Sequence, residues 1–383
     1  MVVGVTSVYL DNAATTALGA EARAAMEPYL SERFGNASEP HGHGRAARVA
    51  LEDARGRLAA LLDAEPGQVV FTSGGSEADN QAVFGLAGGP PGRVVVSAIE
   101  HPAVREPARE LERRGFEVAW APVDDNGIVD AAEFERLLRP GDRLAAVMWA
   151  NNVTGAVQPI ERLAAAAAGQ GVPFHCDAVQ AAASLPVGLR ASGVEALALS
   201  AHKLGGPKGV GCLVTRTPGR MPPLVWGGGQ EHGLRSGTEN IPGVVGFAAA
   251  LEAVRSADDG RAALRDRLEV ALAGHMTVVS AGAQRLSGHL LALVAGIRAD
   301  LLVLALDRAG YAVAAGSACA AGDAEPSHVL IAQGMSAADS RSVVRVSLGL
   351  HTTAAEVDGF AAAFIGCVER LRAGGLEGIA GAV

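Results

Sequence analysis

Lys203 stands where an apolar run meets a cluster of glycines. Residues 200–211 read SAHKLGGPKGVG and follow the strand-like run 197–199, which puts the amine at a sheet edge, able to face a cleft. Most lysines are solvated surface groups, so its neighbours decide its meaning. Upstream, residues 174–180 read FHCDAVQ, a buried strand ending in Asp177 with Gln180 three positions on. Alone, Asp177 reads as a helix cap. A carboxylate at the C-terminal end of a parallel strand, however, lies where open α/β sheets bind ligands. A strand-end acid and a strand-end amine together suit pyridoxal phosphate (PLP). The acid keeps the pyridine nitrogen protonated, so the ring draws electrons, while the amine forms a Schiff base with the aldehyde and moves protons.

A phosphate needs donors. Residues 71–80, FTSGGSEADN, read as strand, Gly-Gly turn and helix start. Backbone N–H groups at Gly75 and Ser76, with the helix dipole, would hold a dianion there. Many α/β proteins carry such a turn; Ser200 and His202 would add donors to the same group. His101 follows the strand at 93–97 and would stack on a pyridine ring and relay protons, although capping the next helix is an equal role for it. Asn151 and Asn152 end another strand, where one amide would meet a ring oxygen or a substrate carboxylate.

Two residues in the C-terminal third complete the set. Cys319 lies in AGSACAAG (315–322), among residues too small to make it a core cysteine, and such a loop leaves the sulfur approachable as a nucleophilic thiolate. Arg345 sits inside the apolar strand VRVSLG, where an unpaired cation is costly. A substrate α-carboxylate bound by a two-pronged guanidinium is a sensible partner.

The elements that must position these residues alternate. Helical patterns at 45–62, 77–86 and 102–114 interleave with strand patterns at 68–72, 93–97, 117–121, 144–150, 172–176 and 196–199. That spacing implies βαβ units and a mainly parallel sheet buried on both faces. After the glycine-rich stretch 226–237, a long helical segment over 242–273 is expected to lead into a smaller α+β region. There helix is expected at 299–309 and 354–372, and strand at 310–314 and 343–347. A chain of 383 residues exceeds the ~250–300 at which one core usually divides. The expected division is a large domain over 13–245 and a small domain formed by 1–12 and 246–383.

The balance of 32 basic against 41 acidic residues gives a net charge of −9, which argues against nucleic acid or an anionic membrane as partner. The four cysteines form no CxxC pair, no run reaches the ~18 apolar residues of a membrane span, and residues 1–9 do not resemble a signal peptide. A cytoplasmic location is the expectation, with no metal site.

Taken in order, these pieces resemble the cysteine desulfurases of the class V (fold type I) aminotransferase superfamily over nearly the whole chain. The resemblance is carried by YLDNAATT (9–16), FGNAS (34–38), FTSGGSEADN, Glu100-His101, NNVTG (151–155), HCDAVQ, SAHKLGGPKGVG, GGGQEHGLRSGTEN (227–240), GSAC and VRVSLG. It implies a fold type I PLP-transferase with a seven-stranded-type sheet. It further implies that Lys203 is the Schiff-base lysine, Asp177 the pyridinium partner and His101 the stacking residue. Gln180 and Asn152 would contact the ring oxygen or substrate, and Gly75, Ser76, Ser200 and His202 the phosphate. Thr238 would reach the phosphate of a neighbouring subunit in a homodimer.

Cys319 would take sulfur from L-cysteine as a persulfide, leaving alanine, and pass it to an acceptor protein, with iron–sulfur scaffolds, tRNA thiolation, DNA phosphorothioation and cofactor sulfuration all open. The chain departs from the family at Ala320-Ala321, where hydroxyl residues are usual, and at Leu350-His351, where an arginine is usual. Other fold type I reactions share the cofactor residues, but Cys319 argues against them. A selenocysteine lyase could use the same cysteine, and a catalytically silent scaffold would not need every one of these side chains.

Overall fold

The computed structural model of the chain describes residues 7–316 and 326–374. A two-residue strand, β1 (Val8–Tyr9), comes first, followed by helices α1 (Ala20–Leu30) and α2 (Gly42–Leu61). Seven strands then build the central sheet: β2 (Val69–Thr72), β3 (Arg93–Ser97), β4 (Glu117–Ala121), β5 (Leu144–Ala146), β6 (Phe174–Asp177), β7 (Ala196–Ser200) and β8 (Gly211–Thr215). Their order across the sheet is β2-β8-β7-β6-β5-β3-β4. β8 runs antiparallel to both its neighbours, and the other four pairings are parallel.

Every residue of β2, β3, β5, β6, β7 and β8 is buried, as expected of strands covered on both faces. The covering helices include α3 (Gly75–Ala87), α4 (Pro102–Arg113), α5 (Ala131–Leu137), α6 (Ile160–Gly169) and the short α7 (Leu189–Ser192). α4 shows why such a segment is helical: Val104, Pro107, Ala108 and Leu111 recur on one buried face, and Pro102 occupies the first turn, where its missing N–H costs nothing.

The long helix expected over 242–273 is two helices, α8 (Ile241–Ser256) and α9 (Arg261–Ala271). Ala257 turns extended at φ −75°, ψ 144°, and Asp259 accepts from both the backbone and the guanidinium of Arg261, which starts the new helix in a new direction. α8 is buried nearly all round and packs on α1 and α2 within the large core. The expected division at residue 245 therefore cuts through a core helix.

A second hydrophobic cluster gathers Leu10, Leu268 and Leu272 with Phe360 and Phe364. It is framed by α9, α10 (Ala299–Arg308), the long α13 (Ala354–Arg372) and a four-stranded antiparallel sheet. That sheet consists of β9 (Thr277–Val278), β10 (His289–Leu293), β12 (Ala314–Ala315) and β13 (Val343–Ser347). The strand expected at 310–314 is divided: β11 (Tyr311–Ala312) pairs in parallel with β1, while β12 joins β13. Short helices α11 (His328–Ala332) and α12 (Ala337–Ser340) lie between β12 and β13. α13 begins with a capping box, in which Thr353 and Glu356 satisfy each other's backbone N–H groups. Among the described residues no helix is long and apolar enough to cross a membrane.

Phe364 is fully buried in this second cluster and makes a tilted ring contact with Phe360 at 5.8 Å. Phe364→Ala should lower unfolding free energy by about 3–5 kcal/mol in denaturant melts, as a large core cavity demands.

Candidate functional site

The C-terminal ends of the parallel strands converge on one edge of the sheet, and the residues singled out by sequence follow those ends. β7 ends at Ser200, and a single 3-10 turn over Ala201–Lys203 places the Lys203 amine beside an N-terminal strap, residues 12–16. Lys203 Nζ donates to the carbonyls of Ala13 at 2.5 Å and Ala14 at 2.7 Å. Gln180 Nε2 donates to the same Ala13 carbonyl at 2.9 Å, and Thr16 bonds the backbone of His202 and Gly205. Lys203 and Lys208 are the chain's only lysines.

Burial pushes the Lys203 amine down to about 8, assisted by the Arg345 charge and opposed by Asp177 and Asp11. A lysine so placed is substantially neutral at mildly alkaline pH, as a nucleophile requires. Asp177, at the end of β6, is buried and accepts from the Val179 backbone N–H at 2.8 Å. Burial raises its carboxyl, and the charges of His101 and Lys203 draw it back. His101 caps α4 by accepting from the Ala103 N–H through Nδ1 at 3.1 Å. The capping role weighed from sequence is therefore real. It also fixes the neutral tautomer, with the proton on Nε2. Burial depresses the imidazole's pKa, with Asp177 and Lys203 acting in opposite directions.

The phosphate turn lies between β2 and α3. A methyl group on Gly75 would stand 2.6 Å from Val179 Cγ2 and 3.4 Å from Ser200 Cβ, so only glycine lets the turn sit this close to the strand ends. Beside it is a cavity of about 480 Å³ lined by Thr15, residues 73–77, Ser200, His202, Lys208 and Gly209. The N-terminus of α3, two serine hydroxyls and a lysine face this space, a donor set that suits a phosphate dianion. His202 Nδ1 lies 3.1 Å from Thr15 Oγ1, and burial, with Lys203 and Lys208 nearby, lowers its pKa to about 4. Its ring is neutral at physiological pH and would meet an anion as a hydrogen-bonding group. A larger cavity, about 780 Å³, opens beside Lys203 and Gln180 between the strap, α8 and residues 347–352. The residues thus fit PLP: an amine, a buried strand-end acid, a flat imidazole and an anion cup are brought together.

Asn151 and Asn152 separate in role. The buried Asn151 amide donates to the Ile99 carbonyl and accepts from Val153 and Thr154 N–H, so it shapes the turn. Asn152 accepts from Arg345 Nη1 through its backbone carbonyl at 2.9 Å, which leaves its side chain uncommitted to that bond. Arg345 already has a carboxylate partner: Nη2 donates to Asp11 at 2.7 Å, and its Nε is buried without a partner. The bonds to Asn152 and Asp11 leave further guanidinium N–H groups that would be open to a substrate carboxylate. Thr238 is exposed on the loop 227–240. Cys319 lies outside the described residues.

Sequence reasoning missed Asp11 and the strap carbonyls as partners of Arg345 and Lys203, because the partners lie more than 180 residues apart in the chain. YLDNAATT entered only as part of a family likeness. It also missed Glu100, which is fully buried and receives hydrogen bonds from Ser97 Oγ and the Met148 N–H on one oxygen, while the other has no partner. Burial raises its carboxyl to about 8.

The comparisons with known proteins agree with this geometry. The family model for Aminotransferase class-V matches residues 8–360, and the chain belongs to that family. Within it lie the cysteine desulfurases. One from Cereibacter sphaeroides is 43% identical over 374 residues, covering 96% of this chain and 97% of the relative. A solved NifS-like protein superimposes with a TM-score of 0.88 at 32% identity, covering 96% of this chain and 99% of its own. The structure described as SspA in complex with cysteine gives 0.82 at 33% identity, covering 90% and 99%. The chain is a PLP-dependent cysteine desulfurase.

Two outcomes follow from the burial of charge. Glu100 has a raised carboxyl pKa in the fold, so between about 4.5 and 8 the folded chain holds a proton that the unfolded chain releases. Its contribution to stability is then lost as pH rises through that window, by at most about 1.4 kcal/mol per pH unit. Glu100→Gln should raise Tm relative to wild type at pH 8 and leave it nearly unchanged at pH 4.5. The rate at which apoprotein captures PLP, followed by visible absorbance, should climb with pH and level off above about 8, where Lys203 is neutral.

Proposed function

We propose that Lys203 carries PLP, that L-cysteine binds between it and Arg345, and that Cys319 removes the substrate sulfur. The observation that carries this reading is the meeting of Lys203 after β7, Asp177 at the end of β6 and His101 after β3 at the C-terminal ends of parallel strands, where the charge of Asp177 acts on both of the others. Bound PLP supplies an electron sink for charge left on the substrate's α-carbon. Lys203 Nζ, held near neutrality, takes the α-proton and returns it. Asp177 holds a charge against the pyridine nitrogen, and His101 presents Nε2–H over the ring. Gly75, Ser76, Ser200, His202 and the Asn152 and Gln180 amides orient the rest of the cofactor and substrate. Arg345 takes the α-carboxylate through the guanidinium N–H groups that its bonds to Asp11 and Asn152 leave over.

Cys319, as thiolate, attacks the substrate sulfur. An S–S bond forms, the Cβ–S bond breaks with its electron pair kept on carbon, and a proton completes alanine. The persulfide on Cys319 then passes to an acceptor protein, with iron–sulfur assembly and tRNA thiolation as the candidate routes. The other three cysteines do not suit the task. Burial raises the Cys176 thiol strongly, and it raises those of Cys212 and Cys367 also.

The chain acts as a homodimer in which Thr238 of each subunit reaches the neighbour's phosphate. Support comes from Leu224, Val225 and Trp226, which leave an apolar stretch exposed directly before the glycine-rich loop, Trp226 by 77%. A reducing compartment, the cytoplasm, suits an enzyme with a working thiol.

Lys203→Ala should abolish both cofactor colour and alanine release. Cys319→Ser should keep the colour and bind cysteine without releasing sulfur; normal desulfuration by that variant removes Cys319 from the reaction. Arg345→Ala should raise KM for cysteine about tenfold or more, because a charge-assisted contact contributes roughly 1.5–3 kcal/mol.

A further inference from the structure

Strand β2 is the edge of the central sheet and pairs only with β8. Its outer side should expose backbone groups, a liability that folds must cover. Here two side chains take the place of the absent strand. Arg55, from α2, donates to the Val69 carbonyl at 2.8 Å, and Glu231, from the glycine-rich loop, accepts from the Phe71 N–H at 2.7 Å. The two also bind each other in a fork, at 2.7 and 2.8 Å, with 2% and 3% of their side chains exposed. The Arg55 guanidinium lies over the Phe71 ring at 4.8 Å. Holding Glu231 there requires left-handed backbone at two successive non-glycine residues, φ 48° at Glu231 and 58° at His232. Such conformations persist only where surrounding contacts impose them.

Phe71 is four residues before Gly75. The strand that this pair pins is therefore the one that delivers the phosphate turn. A second tie runs the same way: Arg235, on the same loop, pairs with Glu77 at 2.9 Å, and Glu77 accepts from the Ser73 N–H at 2.8 Å. We infer that Arg55 and Glu231 are positioning residues for phosphate recognition, fixing the turn at Gly74–Ser76 by replacing a strand at the sheet edge. The inference rests on the reading of that turn as the phosphate cup. Neither residue touches the cofactor. The pair acts on the directions of the turn's N–H groups, and its loss should weaken binding of the phosphate group specifically.

The test compares PLP with pyridoxal, which has the same ring and aldehyde but no phosphate. Apoprotein is titrated with each and adduct formation at Lys203 is followed by absorbance, giving the ratio of the two affinities. The Arg55→Met/Glu231→Met double variant removes both charges together, so that neither is left buried and unpaired. Its preference for PLP over pyridoxal should fall about tenfold or more, the usual cost of removing a supporting shell. Glu231→Gln, which keeps the shape, should show a smaller fall in the same direction and serves alone if the double variant does not fold. A preference within about twofold of wild type in the folded variants, whatever happens to Tm, would mean a merely structural role and overturn the inference. Ser200→Ala, in the cup itself, is the control. If it lowers the preference and the Arg55 and Glu231 variants do not, only the inference fails. If it too has no effect, the cup reading fails and the inference with it.

Discussion

Keeping a lysine amine dry beside buried carboxyls is the constraint on which the rest of this structure depends. In water an amine stays protonated far above neutral pH. Lys203 is drawn toward neutrality because the fold half-buries the amine and withdraws much of its solvent, while two carbonyl oxygens from the strap accept its hydrogen bonds without adding a full charge. Everything nearby follows from that choice. Asp177 must be close enough to hold a cofactor nitrogen yet be buried enough to need His101 and Lys203 as partners. Burial raises the carboxyls of Glu100 and of Asp79, a third buried acid whose neighbours include Asp177, so this cluster carries less negative charge than three carboxyls suggest.

The N-terminal strap unites the two bodies of the chain. β1 pairs with β11, Asp11 bridges to Ser347 and binds Arg345 of β13, and the next residues run on to hold Lys203 and Gln180. Lys203 and Arg345 are thereby fixed relative to each other by one short segment, and a shift of that segment would move the amine and the guanidinium together.

Much of this was legible beforehand. Mostly apolar strands, broken by amphipathic helices, announced a parallel sheet, and the polar residues at their ends pointed to a candidate site. Asp177, His101, Ser200 and Lys203 stood out because each lies at or just past the end of an apolar strand, although Asp177 and His101 also read as helix caps. What sequence hid was distance: no local pattern tells Asp11 that it will meet Arg345, or Arg55 that it will meet Glu231. The break between α8 and α9 was hidden because Ala257–Gly260 interrupts a pattern apolar enough to continue, and only the Arg261 contacts to Asp259 and the Ala183 carbonyl show why it turns.

The chain offers an unusually direct check, since it holds only Lys203 and Lys208. Lys208 is exposed and lines the smaller cavity, whereas Lys203 lines the larger one and is bound to the strap. Holoprotein reduced with borohydride, digested and mapped by peptide mass should carry the pyridoxyl group on Lys203 alone. A label on Lys208, or on neither lysine, would contradict the account at its centre.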